Sequence, residues 1–144
     1  MKTILAVVLF GLLAGCAAPT PEGSAGSGRS IANGDDFKIE AAVYGYLLDK
    51  KPWGHSDINA VYLQADDRRA AALIKAMPRV PLRLEPASRM PAAGKAALLL
   101  TAKALDPTNG VSEAVGTWRV ATNSGLVAFV LVEVGETWTI ESAK

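Results

Sequence analysis

The spacing of apolar residues changes several times along this chain, and each change predicts a different element. Phe37, Ala41, Tyr44 and Leu48 fall on one helical face, with Val43 and Leu47 beside it. The spacing predicts a helix over 36–50. Asp35 or Asp36 is available to cap its start, Lys50 and Lys51 suit its negative end, and Pro52 stops it. Ile58 to Gln64 reads as a strand. Asp66 then opens a second helix, whose stripe is Ala70, Leu73, Ile74 and Met77 before Pro78 ends it. Val80, Leu82 and Leu84 alternate with Pro81 and Arg83, the pattern of a short edge strand. Residues 85–94 read as loop.

From there on the pattern is that of strands alone. Leu98, Leu100, Ala102 and Ala104 share one face of a strand expected over 96–105, and Asp106 to Gly110 forms a turn. In 111–121, Ala114, Gly116, Trp118 and Val120 lie on one side, with Glu113, Thr117 and Arg119 on the other. Residues 122–125, Thr-Asn-Ser-Gly, suggest another turn. The almost wholly apolar run 126–134 suggests a strand buried on both faces or shared with a partner. Gly135 and Glu136 turn once more before Trp138 and Ile140. Turns this short imply antiparallel neighbours. The expected fold class is α+β: an N-terminal helix, one strand-helix-strand unit, then a curled antiparallel sheet of about four long strands.

Residues ahead of that domain follow neither period. Lys2 is followed by an apolar run from Thr3 to Leu13, too short to span a bilayer, which needs roughly 20 apolar residues. It leads into Leu13-Ala14-Gly15-Cys16. Charge, apolar run, small residues and cysteine fall in the order of a bacterial lipoprotein signal, and the tetrapeptide resembles the lipobox. The resemblance implies removal of residues 1–15 by cleavage between Gly15 and Cys16, and a diacylglycerol on the Cys16 sulfur. Lipid adds roughly 0.8 kcal/mol per buried methylene, so two or more acyl chains anchor stably. Ala17, rather than aspartate, follows the cysteine, which by the same family's sorting pattern favours the outer membrane of a Gram-negative cell. The stretch from Ala17 to Gly34 is rich in Gly, Ser, Ala and Pro, with Ile31 its one large apolar residue. Cys16 and this stretch read as a lipidated, flexible tether over 16–34, spanning about 23 Å root-mean-square, ahead of one globular domain over 35–144.

Composition narrows the function classes. The 144 residues carry 15 basic and 14 acidic side chains, a balance that argues against nucleic acid as a partner. One cysteine permits no intramolecular disulfide, and with a single histidine, His55, a zinc site is not expected. His55 has Ser56 and Asp57 beside it, but chain neighbours do not face one another as a catalytic triad requires. Asp66 and Asp67 are explained by helix capping. Glu113 and Glu133, if they met on a concave sheet, could do acid–base work or hold a cation. Lys103 and Arg119 read as surface charge. Tyr44, Trp118, Phe129 and Trp138 read as core. Trp53 lies in a Pro-Trp-Gly loop and is the one aromatic read as a possible contact site.

The closing run from Leu131 to Ile140, an apolar strand, a Gly turn and then Trp-x-Ile, is similar to the end of nuclear-transport-factor-2-like sequences. That resemblance implies an α+β cone whose sheet can enclose a pocket. Two functions follow as expectations. One is a membrane-anchored envelope lipoprotein, held by lipid on Cys16, whose non-catalytic domain binds an envelope protein or polymer. The other is an enzyme or small-ligand binder with a pocket in a curled sheet. No catalytic residue, metal or cofactor is assigned.

Overall fold

The computed structural model describes residues 34–54, 57–92 and 97–144. It is a mixed α+β structure with two helices on one face of an open six-stranded sheet. Helix α1 covers Asp35–Lys50 and α2 covers Asp67–Ala76. The strands are β1 Ala60–Leu63, β2 Arg83–Pro86, β3 Ala97–Thr108, β4 Val111–Val120, β5 Asn123–Val134 and β6 Thr137–Ala143. Their order across the sheet is β2-β1-β3-β4-β5-β6. Both β2 and β3 run parallel to β1, whereas β3 to β6 form an antiparallel meander. The strand-helix-strand unit therefore belongs to the same sheet as the long strands, making six strands rather than about four. Parallel pairing follows from α2, which carries the chain back across the sheet before β2 begins.

Helix α1 starts one residue earlier than the pattern predicts. Neither aspartate caps it. Gly34 is the cap residue, and its carbonyl accepts from the amides of Phe37 and Lys38. Asp35 instead receives the indole N–H of Trp138 at 3.4 Å, while both aspartates remain in the first turn, where negative charge favours the helix. Lys51 closes the other end in the left-handed region, its amide bonded to Leu47. Asp66 does cap α2, through its side chain and the Arg69 amide.

Three boundaries depart from expectation for local reasons. β2 starts at Arg83 rather than Val80, since Pro81 has no N–H to give the ladder, and a turn of 3-10 helix at Ala87–Arg89 follows it. β3 runs on through Asp106 and Pro107, into the expected turn, because a register shift between Leu105 and Thr108 accommodates the proline. The turn shrinks to Asn109 and Gly110, both at positive φ (52° and 74°), the form that suits a two-residue hairpin. β5 likewise begins at Asn123, inside the expected turn.

The core lies between the helices and the inner sheet face. Tyr44, Ile39, Val43 and Leu47 of α1 are buried against Leu98 and Leu100 of β3 and Phe129 and Leu131 of β5. Ala70 and Leu73 of α2 complete it beside Val61 and Leu63. Gly116 allows α1 this close. A methyl group there would come within 2.9–3.0 Å of Phe129, Leu47 and Val43. The run 126–134 is buried on its inner face only. Phe129 and Leu131 point inward, while Leu126 and Val134 point to solvent.

Candidate functional site

Strand alternation gives the sheet a second face that neither helix covers. Pairing sets its rows. Leu99, Arg119 and Ser124 form one row across β3, β4 and β5. Thr101, Thr117 and Leu126 form the next, then Lys103, Val115 and Ala128, then Leu105, Glu113 and Val130. Leu126 is 63% exposed and Val134 60%, with Leu105 and Val111 also exposed. Leu105 and Val111 stand near the Asn109-Gly110 end of this face, in the rows of Val130 and Val132, and Leu126 stands two rows further toward the other end, so the face exposes large apolar side chains along its length. Open depressions lie on this side, among them one of about 540 Å³ around Leu99, Thr117 and Leu126, one of about 180 Å³ around Leu105, Val115 and Val130, and one of about 340 Å³ around Asp106, Thr108 and Val111. Runs of apolar residues pointed toward β5; only the register reveals that its exposed half joins β3 and β4 in one surface.

A separate cleft of about 540 Å³ lies beyond the end of α1, lined by Lys50, Lys51, Trp53, Asp57, Ile58 and Leu82. Trp53 is the aromatic that its Pro-Trp-Gly loop marks as a possible contact site. It is only half-exposed and packs against the edge of the core, so part of its surface is structural. Lys50 is held by Asp49 at 3.0 Å, and its ammonium lies 6.0 Å from the Tyr46 ring. The hydrogen bond that the Lys50 ammonium donates to Asp49 raises the Lys50 pKa and keeps it charged. The cleft thus offers one aromatic edge and a lysine, Lys51, next to a neutralised pair.

The carboxylates considered for acid–base work do not meet. Glu113 stands on the outer face, opposite Leu105 and Val130, whereas Glu133 pairs with Trp138 on the inner side, past the end of the core. Asp66 caps α2, and Asp67 receives the Ser88 hydroxyl. Lys103 and Arg119 are exposed on the outer face. Among the described residues no three His, Cys, Asp or Glu side chains gather to hold a metal, and no buried side-chain polar atom lacks a hydrogen-bond partner. Cys16, Gly15 and His55 lie outside the described residues. No described helix is long and apolar enough to cross a membrane.

Of the aromatics, Tyr44, Phe129 and Trp138 are buried. Trp118 is half-exposed, a correction to its reading as core; it lies over Gly125 on the inner face and packs against the margin of the core. The buried group with a large shift is Tyr44. Its pKa is pushed up to about 12, chiefly by burial, although the Ala102 amide donates to its oxygen at 3.1 Å. A tyrosine held neutral at that depth serves the fold. Arg69 bonds Glu40 at 2.8 Å, which raises the pKa of the arginine and ties α2 to α1.

No known protein family, no curated protein and no solved structure matches this chain.

Proposed function

We propose that the chain is an envelope lipoprotein, anchored by lipid on Cys16, whose domain works by binding through the open face of its sheet rather than by catalysis. The anchor rests on the order of Lys2, the apolar run and Leu13-Ala14-Gly15-Cys16. The binding role rests on one observation: the outer face of β3, β4 and β5 carries Leu126, Leu105 and Val111 in the open while the inner face is filled. The alternative, a ligand pocket inside a cone-like sheet similar to nuclear transport factor 2, has less support. Such a pocket would lie on the inner face, where Val43, Leu47 and Phe129 crowd around Gly116.

The entry of the chain into the domain gives the tethered body a direction. Gly34 and Asp35 sit beside the β5–β6 turn, where Lys38 donates to the Glu136 carbonyl and Trp138 to Asp35. The Asn109-Gly110 turn is at the same end, its carbonyl accepting from the Glu133 amide. A tether on Gly34 therefore pulls on that end and leaves the sheet face accessible.

The test has two arms in a bacterial host. Cys16→Ser should move the protein out of the membrane fraction. If it stays there through high-salt and carbonate washes, the lipid anchor is wrong. A photoreactive amino acid at Leu126 should give covalent products, while one at Lys75, on the solvent side of α2, should not. Equal labelling from both positions would remove the case for the sheet face.

A further inference from the structure

The two charges that β4 carries on the outer sheet face stand in an arrangement that answers itself. On β4, Glu113 and Arg119 both point outward, and both are exposed. They are six residues apart, about 20 Å at roughly 3.3 Å per residue. Neither enters an ion pair among the described residues. At that separation they do not neutralise each other within one chain. Between them the face is uncharged along β4, with Val115 and Thr117, and along β5, with Leu126 and Ala128.

We infer that this face docks on the same face of a second copy, with β4 antiparallel to β4 and Arg119 of each copy against Glu113 of the other. The inference rests on the reading of the outer face as the contact surface and names its occupant. The geometry follows from a two-fold axis lying between the two faces, perpendicular to the strands, at the level of Gly116. That axis exchanges the levels of residues 113 and 119 and those of 115 and 117. Arg119 then meets Glu113 twice, once at each end.

The remaining rows fit the same operation. Leu105 lies at the level of Glu113 and Leu99 at that of Arg119, so the two leucines meet across the axis. Leu126 shares a level with Thr117 and Ala128 with Val115, so a large side chain meets a small one. Lys103 and, beside Ala128 at the end of β6, Lys144 are the remaining charges in these rows. Lys103 lies beyond the last β1 pairing, at Leu100, and Lys144 lies on the edge strand, so each chain can reach past the edge of the contact into water. Sheets packed face to face keep their strands within about 30° of one another, which a two-fold axis permits. Four strands about 4.8 Å apart and about ten residues long give a footprint on the order of 600 Å². That approaches the roughly 800 Å² per partner that stable complexes bury.

The charge pattern supplies a test that only a second copy can pass. The full-length chain is expressed in bacteria with a photoreactive amino acid at Leu126, and products are resolved by mass. The expected main product has twice the mass of the chain. Glu113→Arg places two arginines together at each end, and Arg119→Glu two glutamates, so each should cut the doubled product at least fivefold. The double variant Glu113→Arg/Arg119→Glu restores both pairs with signs exchanged and should recover most of the yield. A foreign partner has no reason to follow that exchange. If the double variant stays as low as the singles, or the singles match the parent, the inference is overturned. Products containing only a different protein would overturn it too, but leave the contact-face reading standing. No product at all would remove both. Both positions are exposed, so all three variants should melt like the parent. If one does not, Glu113→Gln and Arg119→Gln replace the reversals. Each should weaken the doubled product and its dependence on salt, and an unchanged salt response would count against the inference.

Discussion

A methyl group on Gly125 would lie 2.5 Å from Nε1 of Trp118. The two residues pair directly across β4 and β5, so the indole lies flat over the glycine backbone. No side chain larger than hydrogen fits beneath it. Gly125→Ala should therefore displace the indole into water, costing about 1–3 kcal/mol. The check is thermal unfolding together with tryptophan emission. A red-shifted emission and a lower melting temperature are expected, and an unchanged spectrum would mean that the ring does not rest on Gly125.

That pair also explains why the residues around it were hard to read from sequence. Thr122-Asn123-Ser124-Gly125 has the composition of a turn, yet β5 begins at Asn123 and only Ala121 and Thr122 turn. The glycine is present to make room for a ring on the neighbouring strand, and no local signal distinguishes that use from a turn. Pro107 misled in the same way, since a bulge lets β3 continue through it. Helical stripes were legible because burial against one sheet imposes the period, as Ala70 and Leu73 show. The parallel pairing of β1 with β3 was not legible, because it joins segments more than thirty residues apart. The outer face was half legible. Leu126 and Val134 announced an apolar strand, but nothing local tells which half of it a helix covers.

The three tryptophans should separate by burial. Trp138 is buried and its N–H is bound to Asp35, whereas Trp118 and Trp53 are half-exposed. Trp138→Ala should cost about 3–5 kcal/mol, and the other two changes about 1–3 kcal/mol each. Melting temperatures compared side by side should put Trp138→Ala lowest. If Trp53→Ala fell furthest, the cleft beyond α1, not the strand meander, would hold the more important packing.

Glu40 and Arg69 connect the two helices where both side chains are mostly buried. Arg69 also lies 5.9 Å from the Phe37 ring. Glu40→Ala leaves the guanidinium without its acceptor and should cost about 1–3 kcal/mol. Glu40→Gln keeps an acceptor in place and should cost less. Urea denaturation of the two variants decides the matter, and equal losses would show that the carboxylate packs rather than pairs.

Tyr44 should make the fold sensitive to alkali. Pairing of β1 with β3 ends at Leu100, and two residues further on the Ala102 amide is bonded to the Tyr44 oxygen. The side chain is buried, and burial pushes its pKa from 10.0 to about 12. Glu40 adds to the rise, while the amide and Arg69 oppose it. The unfolded chain releases this proton near pH 10, whereas the folded chain holds it until about pH 12. Between those values the folded state binds more protons, so stability falls as pH rises. The contribution is complete below pH 10 and lost through pH 12. At about 1.4 kcal/mol per unit, the two-unit rise corresponds to on the order of 2–3 kcal/mol. Tyr44→Phe removes the titration and leaves the Ala102 amide without its acceptor, a loss of about 1–3 kcal/mol that does not depend on pH. Urea midpoints from pH 8 to pH 11.5 should therefore fall for the parent more steeply than for Tyr44→Phe, which starts lower. Two parallel curves would mean that Tyr44 ionises as easily in the folded chain as in the unfolded one, and that the core around β3 admits water.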